Sequence, residues 1–282
     1  MKKSELQKAL TCAVSAARAA GAVMRKNLRA EKQANEITSH DIKLELDVRC
    51  QKLIEKKLHA AFPDISFLGE EGDSGDSDSE HRWVVDPIDG TVNFAYGIPH
   101  ACVSIALQKK CDEGRVAGDG SKTGVRARPR VPRPASHVTL LGVIYDPFQD
   151  ELWTAVRGQL AKLNGKVIHV STRRKLAECI VTVGFAKSAA SMEASLPNFI
   201  WLARRVRKIR IMGAAALGLT YVATGRLDAY IERGVSLWDV AAGGLILECA
   251  GGKFWTEPTQ GPHKLRMIAS NGLIHGRLPK PK

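Results

Sequence analysis

Trp83, Val84 and Val85 lead straight into Asp86-Pro87-Ile88-Asp89-Gly90-Thr91. An apolar run that ends in two acids three positions apart, then Gly and Thr, suits a strand whose end hands carboxylates to a metal. Cations of the magnesium type take oxygen ligands and often keep some positions for substrate phosphate. The chemistry in view is metal-assisted phosphoryl transfer. Three further pieces carry acids: Asp47 within a helical pattern, Gly69-Glu70-Glu71 after a short apolar run, and Trp238-Asp239-Val240-Ala241-Ala242-Gly243-Gly244. Singly, each has a plainer reading. Asp86 suits a strand-end turn, Asp239 a helix start, where Asp is favoured, and Glu70-Glu71 a charged turn. Asp73, Asp76 and Asp78 read as solvated loop acids. The eight histidines form no ligand-spaced set, so zinc gains little support.

The elements that must position these acids follow from periodicity. Leu6, Leu10, Val14, Ala17, Gly21, Met24 and Leu28 predict an amphipathic helix over residues 3–30. A second helix is predicted over 44–61, with Leu46, Leu53, Ile54 and Leu58 inward, and Pro63-Asp64 stops it. Strands are predicted at 65–68, from Trp83, at 101–108, at 139–145 and near 152–156. There follow a strand at 180–183, a helix over 192–206 interrupted or delayed by Pro197, and a strand at 208–211. A helix over 214–223, a strand at 228–232 and a helix over 240–250, closed by Gly251-Gly252 as a glycine C-cap, complete the pattern. A polar loop spans 73–80. Residues 109–137, rich in Gly, Arg and Pro, read as a long insertion loop. The mixture predicts an α+β fold in a single domain of 282 residues. Its first half (about 1–148) would be a helix pair on a largely antiparallel sheet, and its second (about 149–282) alternating β and α.

Hydrophobic residues at 44% and charged residues at 25% are ordinary for a soluble globular chain. No stretch approaches the ~20 apolar residues of a membrane helix. The basic N-terminus runs into an Ala-rich amphipathic segment, unlike a signal-peptide core, so a cytoplasmic protein is expected. Six scattered cysteines without a C-x-x-C pair argue against a disulfide framework and against structural zinc. A net charge of +13 invites a nucleic-acid reading. The surplus concentrates at 109–133 and in Arg204-Arg205-Val206-Arg207-Lys208-Ile209-Arg210, without the aromatics of a stacking surface. A basic field also draws in small phosphorylated substrates, so nucleic acid is kept as a secondary partner.

In order and spacing, Asp47, Gly69-Glu70-Glu71, D-P-I-D-G-T-x-N-F (Asp86 to Phe94) and W-D-x-A-A-x-x-x-L (Trp238 onward) form one set. With this set the chain resembles, from about Leu6 to Asn271, the inositol monophosphatase family of magnesium-dependent, lithium-sensitive sugar-phosphate phosphatases. The resemblance implies a layered α/β/α/β/α sandwich of the inositol monophosphatase/fructose-1,6-bisphosphatase type, a homodimer, and two to three Mg2+ per active site. It implies that Asp86 bridges two cations, that Asp89 and Asp239 complete one shell, and that Glu70 and the Ile88 carbonyl serve the other. A weaker third magnesium would lie near Glu70. Two metals about 4 Å apart can clamp the attacking water and the leaving oxygen of an in-line displacement. Asp47 and Thr91 are implied as the pair that orients the nucleophilic water, with Glu70 sharing in its activation.

Gly90 and Thr91 would open a helix whose N–H groups suit a phosphate, with Gly allowing close backbone approach. Gly213-Ala214-Ala215, Glu232, Asp89 and Asp239 are the implied substrate contacts. Gly184-Phe185 resembles the bacterial-type version of a nearby loop, and Lys187 beyond it reads as a solvated lysine. No Ser or Cys with an attendant base is visible, which predicts a water nucleophile and no phosphoenzyme. Two departures stand out. Leu44 occupies a position where the family commonly has Thr, which bears on lithium sensitivity, and 109–137 replaces a brief hairpin. The expected substrate is inositol 1-monophosphate or a similar polyol or sugar phosphate. The alternatives are fructose 1,6-bisphosphate, histidinol phosphate and 3′-phosphoadenosine phosphates. From another class, the alternative is an RNA-associated regulatory protein using the basic surface.

Overall fold

The computed structural model describes residues 1–31, 34–37, 42–76, 78–111, 137–185 and 189–281. Alanine, the strongest helix former, fills the inner face of α1 (Lys3–Asn27), where Ala9, Ala13, Ala16, Ala17 and Ala20 are buried. The antiparallel pair β1 (Ala34–Ile37) and β2 (Ile42–Leu44) leads into α2 (Glu45–Ala61). Then come β3 (Ser66–Gly69), β4 (Gly72–Ser74), β5 (His81–Asp89), the short α3 (Thr91–Ala95), β6 (Cys102–Lys110) and β7 (His137–Asp146). These are followed by β8 (Glu151–Val156), β9 (Lys162–Leu163), β10 (Lys166–Val167), β11 (Ile180–Val183) and α4 (Ala189–Ala203). The chain ends with β12 (Lys208–Arg210), α5 (Ala215–Ala223), β13 (Ala229–Ser236), α6 (Leu237–Cys249), β14 (Lys253–Pro258) and β15 (Lys264–Ser270).

Two sheets carry the architecture among the described residues. The first has the order β10-β9-β8-β7-β6-β5-β3-β4 and is antiparallel except where β3 lies beside β5. The second has the order β12-β11-β13-β15-β14, parallel at β11 and antiparallel at β15. Strand β5 shows why layers must form on both faces of the first sheet. Trp83 and Val85 pack with Met24, Ile54 and Leu58 of α1 and α2, while the alternate residue Val84 packs with Leu217, Leu245 and Ile246 of α5 and α6. The same two helices bury Tyr230, Met267 and Ala269 of the second sheet on their far side. Leu202 of α4 closes that sheet's outer face against Val181, Ile231 and Ile268. The order is helix pair, sheet, helix pair, sheet, helix. This is the α+β layered sandwich that the resemblance implies.

Several elements differ from the sequence reading. The first sheet continues past residue 148, because β8 turns straight back along β7 and β9 and β10 follow it. Helix α4 starts before Met192 and runs through Pro197. Docking of Phe199 and Leu202 on the second sheet holds it despite the missing N–H. Strands β14 and β15 were not anticipated. Lys109, Lys110 and His137 belong to strands. Residues 112–136, the body of the expected insertion loop, lie outside the described residues, as does Lys187. The six cysteines are free thiols. Among the described residues, no helix is long and apolar enough to cross a membrane.

Candidate active site

Residues three apart on a regular strand face opposite sides of the sheet. Asp86 and Asp89 escape this because the register of β5 against β6 shifts between them. Pro87 has no N–H to continue the ladder, and the Ile88 N–H turns to Asp86 Oδ1 at 2.9 Å. Both acids therefore line one cleft of about 300 Å3. Glu70 reaches it from β3, whose parallel pairing sets Gly69 beside Val85, and the Glu70 N–H donates to the Val85 carbonyl at 3.2 Å. Gln51 of α2 clamps the turn that follows. Its Nε2 donates to the Gly72 carbonyl and its Oε1 accepts the Glu71 N–H, both at 2.9 Å.

Asp239 lies in the first turn of α6, where its Oδ2 accepts the Ser236 N–H at 2.8 Å. Ser104, paired with Asp86 in register, donates to the Trp238 carbonyl at 3.0 Å and pins the start of α6 to β6. Asp47 holds the equivalent place in α2, with Oδ2 accepting the Leu44 N–H at 2.8 Å. It is buried and does not belong to the described lining of the cleft, whereas Glu70, Asp86, Ile88, Asp89, Gly90, Thr91, Gly213, Ala214, Ala215, Glu232 and Asp239 all line it. Helix α5 has no side-chain cap of its own. Asp89 supplies one, accepting the Ala215 and Ala216 N–H groups at 3.0 and 2.7 Å. The N–H of Ala215, a residue of the loop implied as a substrate contact, thus already has an acceptor.

The expected phosphate-holding helix is α3, only five residues long. Its macrodipole is correspondingly slight, so any anion there would rely on local N–H groups. Gly90 at its start has φ 93°, and a Cβ would stand 2.9 Å from the His100 carbonyl. Thr91 Oγ1 donates to the Ile88 carbonyl at 2.9 Å. Asn93 Nδ2 donates to the His100 and Met212 carbonyls at 3.0 and 2.9 Å, tying the Gly213 loop over the strand end. On the far wall, Tyr230 OH donates to Glu232 Oε2. Gly184 leaves that carboxylate the space that a Cβ would fill.

Asp86 has its carboxyl raised well above the usual range, first by burial and then by Glu70, Asp89, Asp239 and Asp47. Burial pushes Asp89 up to about 7, against the pull of the Ala215 and Ala216 N–H groups. Hard oxygen donors crowded until they repel one another suit a divalent cation of the magnesium type. Among the described residues, however, no three His, Cys, Asp or Glu side chains stand in a geometry that would hold a metal. Asp47, Asp86, Asp89 and Asp239 each turn at least one oxygen to a backbone N–H instead. The donor chemistry fits the ion, while the cage is not closed.

Gln51, Ser104, Tyr230 and Lys264 join the site without having been expected there, and Asn93 of the D-P-I-D-G-T-x-N-F motif gains a role. Ser104 has a legible signal, a lone hydroxyl in the apolar run 101–107. Gln51, Tyr230 and Lys264 have none.

Comparison with known proteins agrees with this architecture. A family model described as "Inositol monophosphatase family" matches residues 5–118 and 135–280. The chain is 38% identical over 247 residues to "Nus factor SuhB" of Pasteurella multocida, covering 86% of this chain and 83% of that one. It is 34% identical over 275 residues to "Inositol monophosphatase" of Mesembryanthemum crystallinum, covering 94% and 92%. The solved structure of inositol monophosphatase from Anabaena (Nostoc) sp. superposes with a TM-score of 0.76 at 33% identity, covering 98% of each chain.

Proposed function

The chain belongs to the inositol monophosphatase family, and on that premise we propose that it is a magnesium-dependent hydrolase of phosphate monoesters. Inositol 1-monophosphate or a similar polyol phosphate is its substrate. The observation that carries this reading is the gathering of Glu70, Asp86, Asp89 and Asp239 around one cleft, where their mutual repulsion calls for a cation. These four acids and the Ile88 carbonyl would hold two to three Mg2+. When bound, the ions would supply charge neutralisation and an acidified water.

The chain's own groups do the positioning. Backbone N–H groups at Gly90 and Thr91 receive the phosphate, and the Thr91 hydroxyl together with Asp47 orients the nucleophilic water. Glu70 accepts its proton. Glu232, with Asp89 and Asp239, meets the polyol hydroxyls, the Gly213-Ala214-Ala215 loop forming the adjoining wall. Lithium inhibition, a cytoplasmic setting and a homodimer belong to the same proposal. Exposed apolar side chains at Tyr96, Ile98 and Ile211 are of the kind a second copy would cover.

The test is phosphate release from inositol 1-phosphate, fructose 1,6-bisphosphate, histidinol phosphate and 3′-phosphoadenosine 5′-phosphate, with and without Mg2+. Mg2+-dependent turnover of at least one is expected, and none from any would overturn the reading.

An RNA-associated role is favoured by a different observation. A relative bears the name of a Nus factor, and here Arg204, Arg205, Arg207, Lys208 and Arg210 are all exposed. Salt-dependent RNA binding that survives Asp86→Asn would support it, and its absence would remove it.

A further inference from the structure

Every charged side chain in the described lining of the cleft is acidic except one, Lys264. Its place is fixed from several directions. In the β13–β15 ladder Lys264 sits opposite Ser236, and its Nζ donates to Ser236 Oγ at 2.6 Å. The Leu237 N–H donates to the carbonyl of the neighbouring His263 at 2.9 Å, and the His263 ring lies against Trp238. The half-buried ammonium is therefore held at the start of α6, beside the turn that bears Asp239. An ammonium has three N–H donors. Ser236 takes one, and no carboxylate among the described residues pairs with the charge.

We propose that Lys264 is a specificity-determining residue that recognises a second anionic group on the substrate, a carboxylate or phosphate on the polyol distal to the phosphate that is cleaved. Gly90 and Thr91 lie where the first sheet ends, whereas Glu232 and Lys264 lie on the second sheet. A substrate whose scissile phosphate sits at the first sheet turns its polyol toward the second. There Glu232 offers an acceptor to hydroxyls, and Lys264 offers donors and positive charge to an anion. A cation beside so many carboxylates would be drawn into an ion pair with one of them. It is anchored on a neutral hydroxyl instead, which leaves its charge available.

This role presupposes that polyol phosphates bind in the cleft, as the proposed phosphatase activity requires. Two ligand pairs isolate the second anion: 6-phosphogluconate against glucitol 6-phosphate, and fructose 1,6-bisphosphate against fructose 1-phosphate. Titration calorimetry with Mg2+ gives affinities, and phosphate release gives kcat and KM in parallel. The wild type should prefer the doubly anionic member of at least one pair. Lys264→Met should cut that preference roughly ten- to hundredfold, the worth of hydrogen bonds to a charged group, chiefly through KM. Lys264→Arg should restore most of it. A fall confined to one pair identifies that pair's anion as the partner. A preference unchanged in Lys264→Met, or losses equal for both members of each pair, overturns the role and leaves Lys264 as a support for Ser236. Preferential binding without phosphate release would sink the phosphatase reading and leave the assignment of Lys264 standing.

Discussion

Asp86 shows what a single carboxylate does in this fold. It is buried against four other acids, so it destabilises the metal-free protein while serving the site. Replacing it with asparagine keeps the shape and removes the charge. Asp86→Asn should lower phosphate release by at least about 10²–10³-fold, in the range seen when a key electrostatic group is removed. The same variant should melt higher than wild type in EDTA, by roughly 2–4 °C per kcal/mol of relieved repulsion. Lost activity with a lowered melting temperature would mean that Asp86 is a structural residue. Gly184 is the complementary case, a residue whose work is to leave space. Gly184→Ala places a methyl where the Glu232 carboxylate lies, and the expected outcome is a several-fold higher KM for inositol 1-phosphate. An unchanged KM would remove Glu232 from the substrate contacts. At this scale the acids were legible from residue type and order. That Asp86 and Asp89 serve one site was read from their motif, but how they come to share a face was not, because alternation sets them on opposite faces and only the register shift between them reverses it.

Elements place these residues by their ends. Asp47 and Asp239 both stand in the first turn of a helix and accept the N–H of the residue that precedes it. The plain structural reading of such an acid and a functional one therefore apply to the same side chain. Helices α1, α2 and α5 and strands β5 and β11 were legible because each keeps one clear period or an unbroken apolar run. Strands β14 and β15 were not. β14 is a largely exposed edge strand ending in proline, and β15 opens with half-buried Lys264, Leu265 and Arg266 before its apolar end. Lys264 was lost with its strand. Nor did any periodicity mark Gln51, whose two bonds hold the turn bearing Glu70 to α2. Gln51→Leu should cost about 1–3 kcal/mol in unfolding free energy, since both backbone partners lose their mate. It should also raise the Mg2+ concentration for half-maximal activity several-fold. Destabilisation with an unshifted Mg2+ dependence would show that the turn does not set Glu70.

The layered sandwich as a whole forces charge together from separate parts of the chain. Glu70, Asp86 and Asp89 come from the first sheet, and Asp239 from the helix layer between the sheets. Folding is therefore linked to their ionisation. Asp89 has an ordinary value of 3.8 and a folded value of about 7, and Asp86 is raised in the same direction by burial and the neighbouring acids. A folded value above the unfolded one means that the native state holds its proton longer. The resulting stability is complete at pH below the unfolded value and is lost as pH rises through the folded one. In EDTA, the melting temperature should thus fall from about pH 5 to pH 8 as Asp89 ionises. General self-repulsion has the opposite sign, because a chain of net charge +13 sheds positive charge over that range as histidines deprotonate. A fall is therefore specific to the buried acids, and Asp89→Asn should flatten it. Saturating Mg2+ should abolish it, so the gain in melting temperature from Mg2+ should be larger at pH 8 than at pH 5. Melting curves at those two pH values, in EDTA and in Mg2+, decide the matter. A metal-free protein that grows more stable toward pH 8, or a Mg2+ gain equal at both, would show that these acids do not meet a cation at the cleft.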